Sequence, residues 1–150
     1  MNAKSQAEFI LAGVLMKQLL DGKDTNGTFC LFENRSDGQS STPIHIHANE
    51  DETIYMMEGE IQAIVAGETR TIRAGEAMFL SRGIPHQLIN RSGQPAHYTL
   101  LCTPSGFEGF VAEGGYSRKS GGRVQPPTAE DVARMQDAAP RFGITLLPGW

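Results

Sequence analysis

A chain of 150 residues, of which 39% are hydrophobic, is long enough to bury one sizeable core, so we expect a single domain. The formal net charge is −4 and the Lys and Arg residues are scattered, which excludes a basic stripe for nucleic acid. The apolar run at residues 9–16 is too short to cross a bilayer and does not resemble a secretory signal, so we expect no membrane association. Cys30 and Cys102 form no CxxC pair, which favours two buried thiols in a reducing cytoplasm over a disulfide.

The first part of the chain contains one ambiguous element and one clear strand. Residues 9–20 are apolar in both helical and strand-like order, and periodicity does not decide between a helix and a strand. The polar residues 21–27 predict a loop. Residues 28–33 then alternate between two faces, which predicts a strand.

Between residues 44 and 103 the chain has the pattern of short strands separated by turn residues. The sequence Ala66-Gly67-Glu68 predicts a hairpin loop in which the glycine supplies a positive φ. Strands this close together favour an antiparallel sandwich or barrel over βαβ units. The predicted strands cover residues 54–57, 61–65, 69–73, 77–80, 87–89 and 97–102.

The last part of the chain differs in composition. Residues 1–113 are expected to form the barrel, and the Gly-, Ser- and Pro-rich residues 114–127 a flexible connection. Residues 128–150 are expected to form a C-terminal helix and an apolar tail. Thr128 and Asp131 resemble a capping box at the start of that helix, which Pro140 would end. The tail at 144–147 would pair with a sheet edge or with a partner subunit.

Four residues have the chemistry of a metal site. His45 and His47 are two residues apart, which on a strand places both imidazoles on one face. Glu52 follows across a polar turn, and His86 would come from a distant strand. Three imidazoles and one carboxylate suit one divalent ion of Fe, Mn, Ni, Cu or Zn, and leave coordination positions open for substrate. His97 has no motif around it, and we expect an ordinary structural role.

The alternation of side chains also predicts which residues face the site. If Glu52 points inward, Ile54 and Met56 point inward too, whereas Thr53 and Tyr55 point away. By the same argument Leu88 and Asn90 share the face of His86. Small barrels fill their interiors with side chains, so core packing is favoured over substrate contact for Met56 and Leu88. Phe79 and Tyr98 are candidate aromatic walls, although the sequence does not fix their direction. The candidate pocket residues are thus Ile54, Met56, Phe79, Leu88 and Tyr98.

Two segments resemble the conserved motifs of the cupin family. Residues 43–59, PIHIHANEDETIYMMEG, resemble the first motif, and its spacing selects Glu52 over Glu50 and Asp51. Residues 75–90, GEAMFLSRGIPHQLIN, resemble the second motif. The chain departs from the pattern at Ser81, where the family usually has proline, and at Gly38, which lies one residue too far upstream. The resemblance implies an all-β fold, the cupin double-stranded β-helix or jelly-roll barrel.

A wider resemblance rests on the order of residues 24–27 before a strand, residues 43–60, residues 103–108 and a final helix leading to residues 141–144. This order is similar to that of bacterial cupins of the quercetin dioxygenase-like group. It implies an oxygen-dependent metalloenzyme acting on a small aromatic or enolisable molecule, with Glu52 as both ligand and general base. It also implies a homodimer. Two alternatives remain open: a binding or sensing module without turnover, and a metal-assisted isomerase or lyase acting on a sugar or organic acid. The latter would favour polar pocket walls, and the apolar Met56 and Leu88 count against it.

Overall fold

The computed structural model describes residues 6–118 and 124–148, which form two antiparallel sheets of seven and six strands with two α-helices. The prediction of a mainly antiparallel β fold with a C-terminal helix is confirmed. The strands are β1 (Glu8–Leu11), β2 (Val14–Leu20), β3 (Cys30–Ser36), β4 (Ser40–Ser41), β5 (Ile44–His47), β6 (Asp51–Glu58), β7 (Glu60–Val65), β8 (Glu68–Arg73), β9 (Ala77–Leu80), β10 (His86–Asn90), β11 (Ala96–Thr103), β12 (Tyr116–Ser117) and β13 (Ile144–Leu147). The helices are α1 (Phe107–Gly114) and α2 (Ala129–Ala138), and a 3₁₀ turn covers Ala139–Phe142.

The larger sheet has the strand order β12-β1-β2-β3-β11-β6-β9. Strands β3, β6 and β11 of this sheet alternate between buried and more exposed residues, because one face packs on the core and the other meets solvent. In β6 the buried residues are Glu52, Ile54 and Met56, as the alternation predicts, while Tyr55 is exposed.

The smaller sheet has the order β13-β5-β10-β7-β8, and β4 pairs with the far part of β10. Its inward residues Ile61, Ala63 and Ile72 belong to the same buried cluster as Ile54 and Met56 of the larger sheet. One continuous core therefore lies between the two sheets, as in a jelly roll.

The ambiguous segment at residues 9–20 is a β-hairpin, formed by β1 and β2. Ala12 and Gly13 both have positive φ, of 52° and 77°, which is the backbone of a type I′ hairpin turn. The segment is apolar without strict alternation because β1 is covered on one edge by β12 and lies close to α1.

Helix α1 was not predicted from the sequence, which assigned all of residues 1–113 to the barrel. It begins after Gly106 and buries Phe107, Phe110 and Val111. Eight residues are too few for a clear helical period, and tertiary packing of these apolar side chains stabilises the helix.

The C-terminal helix begins where the sequence predicts. Thr128 and Asp131 form a reciprocal capping box at the start of α2, which is followed by the 3₁₀ turn containing Pro140. The tail forms β13, which pairs with β5 of the same chain, so the sheet-edge alternative is the one observed. Within the expected connection at 114–127, residues 116–117 form β12; residues 119–123 lie outside the described residues, and the domain boundaries stay a prediction. No helix in the described part of the chain is long and apolar enough to span a membrane.

Candidate metal centre

Four side chains converge between the two sheets. His45 and His47 come from β5, His86 from the start of β10 and Glu52 from the start of β6. His45 is in register with His86 across the smaller sheet, and Glu52 approaches from the larger one. One potential ligand atom from each residue lies within 4.8 Å of all the others, and all four residues are buried. The structure therefore brings together the four residues that the sequence selected.

The turn before His86 helps to hold these strands in place. The N–H of Gly83 donates to the carbonyl oxygen of His47 at 2.8 Å, which fixes the turn before His86 against β5. In the same turn, the Arg82 side chain pairs with Asp51 at 3.1 Å, next to Glu52. Ser81, at the departure from the motif, is exposed, and its hydroxyl donates to the Arg82 carbonyl. The serine that replaces the usual proline of the motif therefore lies on the surface of this turn.

Each imidazole is oriented by an acceptor at its Nδ1 atom. The Nδ1 contacts are His45 to the carbonyl of Pro43 at 2.8 Å, His47 to the Glu50 carboxylate at 2.7 Å, and His86 to the carbonyl of Ile84 at 3.3 Å. A carbonyl oxygen only accepts, so the proton of a neutral ring sits on Nδ1 and Nε2 carries a lone pair. This is the arrangement in which metal-binding histidines are usually held.

The inner atoms of the cluster lack hydrogen-bond partners. Among the described residues, Nε2 of His47, Nε2 of His86 and Oε2 of Glu52 are buried and make no hydrogen bond. Yet Nε2 of His86 lies 2.8 Å from Oε2 of Glu52, and Nε2 of His47 lies 3.3 Å from Oε1. Buried polar atoms without partners are costly, and a cation between them would satisfy all three at once. The residues present fit a divalent metal.

Charges within the cluster perturb the histidine pKa values in opposite directions. Burial, reinforced by the neighbouring His86 and His47, lowers the pKa of His45 to about 3. Burial would also lower the pKa of His47, but the carboxylates of Glu52 and Glu50 outweigh it and raise the pKa above its ordinary 6.5. His45 is therefore neutral and ready to bind a metal, whereas at His47 a metal competes with a proton.

Glu52 is ionised at neutral pH in spite of its burial. Burial raises the pKa of its carboxyl group, but His47 and His86 outweigh this effect and lower the pKa to about 2. The thiol of Cys102 donates to Oε1 at 3.8 Å, which leaves Oε2 directed toward the cluster. Burial also raises the pKa of Cys102, which keeps this thiol protonated.

Comparison with known proteins agrees with this geometry. The profile of the Cupin domain family (Cupin_2) matches residues 33–103, which contain all four residues of the cluster. Residues 33–103, just under half of this chain, therefore form a domain of the cupin superfamily. The chain is 34% identical over 67 residues to the tetracenomycin polyketide synthase protein TcmJ of Streptomyces glaucescens. That match covers 45% of this cupin and 44% of TcmJ, less than half of either protein.

Solved structures share the fold of this cupin at low sequence identity. The polyketide cyclase RemF from Streptomyces resistomycificus superposes with a TM-score of 0.59 at 24% identity, over 70% of this chain and 80% of RemF. A predicted oxalate decarboxylase from Thermotoga maritima superposes with a TM-score of 0.61 at 20% identity, over 69% of this chain and 99% of that one. At these identities the likeness establishes a common fold and carries no information on substrate.

Glu50 is a residue of the site that sequence reasoning passed over. It is 3% exposed, and its carboxylate contacts Nδ1 of His47. The motif spacing of the cupin family selects Glu52 as the ligand and assigns nothing to Glu50. A carboxylate three residues after a ligand histidine, within one turn, is the sequence signal that could have found it, since such residues can reach the outer ring nitrogen.

The predicted pocket residues lie in three different environments. Ile54, Met56 and Tyr98 are buried in the core of the cupin, and Leu88 is half-buried against it. Phe79 is 63% exposed on the edge strand β9, opposite Thr53, so it faces away from the interior. The expectation that Phe79 could form an aromatic wall is corrected by this orientation.

The remaining candidates behave as ordinary structural groups. His97 pairs with Glu33 at 2.7 Å on the outer face of the larger sheet, in line with the structural role expected for it. Asn90 is buried, and its amide donates to Ser36 and to the Gln94 carbonyl. Cys30 and Cys102 are buried free thiols, as predicted.

Proposed function

We propose that this cupin binds one divalent transition metal and is an oxygen-dependent, dioxygenase-like enzyme acting on a small aromatic or enolisable substrate. The observation that carries the proposal is the convergence of three imidazoles and one carboxylate, buried and within 4.8 Å of one another. This donor set suits Fe, Mn, Ni, Cu or Zn and contains no thiolate, unlike most structural zinc sites. Four protein ligands leave coordination positions for a substrate.

The residues of the chain have distinct roles in this proposal. A bound metal would act as a Lewis acid that polarises a substrate oxygen. Glu52 is ionised at neutral pH, but a pKa of about 2 makes its carboxylate a weak base, so it would accept a proton only from a carbon or hydroxyl group that a bound metal has made more acidic. The ring of Phe107 packs edge-on against His47 at 5.2 Å between centroids and helps to exclude water.

Oxygen uptake tests this function directly. Metal-loaded protein should consume oxygen in the presence of at least one member of a panel of flavonols and 1,3-diketones. Glu52→Gln should retain part of the metal and lose turnover, because an amide does not accept the proton. Glu58→Gln is the matched control, since Glu58 ends the same strand and is exposed. Full activity in Glu52→Gln would refute the role of Glu52 as the base.

A second candidate reaction is the cyclisation of a poly-β-ketone. It is suggested by the name of one similar protein, the tetracenomycin polyketide synthase protein TcmJ, which is 34% identical to this chain over 67 residues. Carbon atoms between two carbonyl groups are acidic, and removal of one proton starts ring closure without oxygen. Glu52 would be the base here too. Product formed under argon would support cyclisation, whereas product formed only with oxygen uptake supports the dioxygenase.

The same assays also distinguish two further functions. A sensing or binding module would bind a metal and a small molecule without turnover. A sugar or organic-acid isomerase or lyase would convert a polar substrate, which the apolar Met56 and Leu88 do not favour.

The homodimer and the cytoplasmic location belong to the proposal as well. A dimer predicts twice the chain mass by light scattering. The two free thiols agree with a reducing compartment.

A further inference from the structure

The outer face of the larger sheet carries an apolar row that crosses five strands. Following the pairing registers of β2, β3, β11, β6 and β9, the row consists of Leu20, Leu31, Leu101, Thr53 and Phe79. Phe79 is 63% exposed, and Tyr55 beside the row is 47% exposed. These are two of the three large hydrophobic residues that are exposed in the described part of the chain.

The apolar row does not belong to the core of its own chain. On β11 the neighbours of Leu101, Leu100 and Cys102, are buried, and successive side chains of a strand point to opposite faces, so Leu101 points away from the core. Among the described residues, the three leucines of the row are neither part of the buried cluster nor packed against it. A contiguous apolar patch that a single chain leaves in water is typical of a protein–protein contact.

Two side chains of opposite charge stand beside the row, one strand to either side of β11. Arg35 on β3 and Glu58 on β6 both lie opposite His97 of β11. Both are exposed, and within the part of the chain that the structure describes neither forms an ion pair. His97 does not link them, because it pairs with Glu33. The positive and the negative charge are therefore placed symmetrically about the central strand.

A two-fold axis parallel to β11 makes this face complementary to itself. Such an axis places β3 of one copy over β6 of the other, and β2 over β9, with the rows kept in register. Leu101 then meets Leu101 of the second copy at the centre, and Leu20 meets Phe79. Arg35 meets Glu58 in two equivalent pairs nearer the rim, as in interfaces with an apolar centre and a polar edge. From the spacing and length of the strands, two copies would bury on the order of 1,200 Å², the lower end for a stable interface.

We propose that the outer face of the larger sheet joins two copies of this chain, with Leu101 at the two-fold axis and Arg35 of each copy paired with Glu58 of the other. The inference rests on the homodimer of the proposed function and deepens it, because it names the surface and the contacts. Glu52 and the other candidate ligands lie on the inward side of the sheets, so each copy keeps a complete cluster of its own.

Light scattering over a dilution series tests the surface. Wild type should have twice the chain mass. Leu101→Asp places two carboxylates side by side at the axis and should weaken dimerisation by about 100-fold or more. Ile64→Asp is the matched control, because Ile64 is half-buried on β7 of the smaller sheet, and this variant should stay as dimeric as wild type.

An exchange of charges tests the position of the axis. Arg35→Glu should weaken dimerisation by about tenfold, because it faces Glu58 of the second copy with a like charge. Arg35→Glu combined with Glu58→Arg should restore the wild-type affinity, since both pairs form again with their charges exchanged. Arg91→Glu makes the same change at an exposed arginine beyond β10 and should have no effect.

The outcomes separate this inference from the proposed function. A wild-type dimer that Leu101→Asp and Arg35→Glu leave intact would overturn the assignment to this face while leaving the homodimer in place. A wild type that is monomeric at every concentration would overturn both the surface and the homodimer. The metal content of the same samples tests the metal centre independently of either result. Arg35 and Glu58 are exposed, so the charge exchange decides the proposal even if Leu101→Asp does not fold.

Discussion

Replacing Glu50 with glutamine separates the role of a supporting carboxylate from that of a ligand. In the native protein the buried Glu50 carboxylate accepts from Nδ1 of His47 at 2.7 Å. A glutamine side chain at this position could still accept the hydrogen bond through its amide oxygen, but without the negative charge. Hydrogen bonds to charged groups contribute roughly 1.5–3 kcal/mol and neutral ones roughly 0.5–1.5 kcal/mol. The difference of about 1–1.5 kcal/mol corresponds to about a tenfold weaker metal affinity.

The assay is calorimetric titration with Ni²⁺ at pH 8 for wild type, Glu50→Gln and Glu50→Leu. Glu50→Leu removes the hydrogen-bond acceptor entirely. Its Ni²⁺ affinity should fall by about 100-fold, the largest loss usual when a residue that orients a metal ligand is replaced. Asp51→Asn is the control, because Asp51 pairs with Arg82 near the surface and should change the affinity by no more than about twofold.

The pH profile gives a second, independent readout for Glu50. Its carboxylate helps to raise the pKa of His47, so Glu50→Gln should lower that pKa. Proton competition at His47 would then set in at a lower pH than in wild type, even though the affinity at pH 8 is weaker. If Glu50→Gln bound Ni²⁺ as tightly as wild type at pH 8 with an unchanged profile, Glu50 would be a packing residue and the reasoning would fail.

Three further outcomes follow from the structure. In wild type, the apparent Ni²⁺ affinity should not depend on pH above the raised pKa of His47, and should fall about tenfold per pH unit below it. The reason is that one proton must leave His47 before the metal binds. Titrations at pH 8, 7 and 6 measure this dependence. Met56→Ala should lower the free energy of unfolding, measured in urea, by about 2–5 kcal/mol, because Met56 is fully buried. Met57 is half-buried, so Met57→Ala should lower it by clearly less. Equal losses in the two variants would contradict the burial of Met56 in the core. Thr128→Ala should cost about 1 kcal/mol through loss of the α2 cap, again in urea, and no loss would show that the capping box does not stabilise the protein.

The metal ligands could be predicted because their positions depend on short-range rules. Two histidines two residues apart on a strand share a face, and the spacing of the motif separated Glu52 from its acidic neighbours. The alternation in β6 placed Ile54 and Met56 inward for the same reason. The start of α2 was predictable because a capping box is local: Thr128 and Asp131 satisfy each other's backbone N–H groups.

Features that depend on contacts between remote segments could not be predicted. The strands of the β1–β2 hairpin are covered by other elements, so their apolar pattern has no strict period. Helix α1 is short and depends on the packing of Phe107 and Phe110. The direction of Phe79 follows from the pairing of β9 with β6, which a single sequence does not reveal.

A cavity of about 50 Å³ beside His45 is a further case of this limit. It joins the first hairpin, both helices and the last strand, which are far apart in the chain. The predicted pocket, in contrast, was placed on neighbours of the ligands along their own strands, Ile54, Met56 and Leu88, and on the aromatic residues Phe79 and Tyr98 of two other strands. Alternation identifies which side chains face inward, but it does not distinguish the filled part of the interior from the part that stays open.

The most direct test of the account is elemental analysis of protein purified without an affinity tag or chelator, beside a variant with both His45→Ala and His47→Ala. We expect one transition metal ion per chain in wild type and none in the variant, whose fold is checked by circular dichroism. The absence of metal from both proteins, even after reconstitution with Fe, Mn, Ni, Cu or Zn, would contradict the claim that these buried side chains form a metal centre.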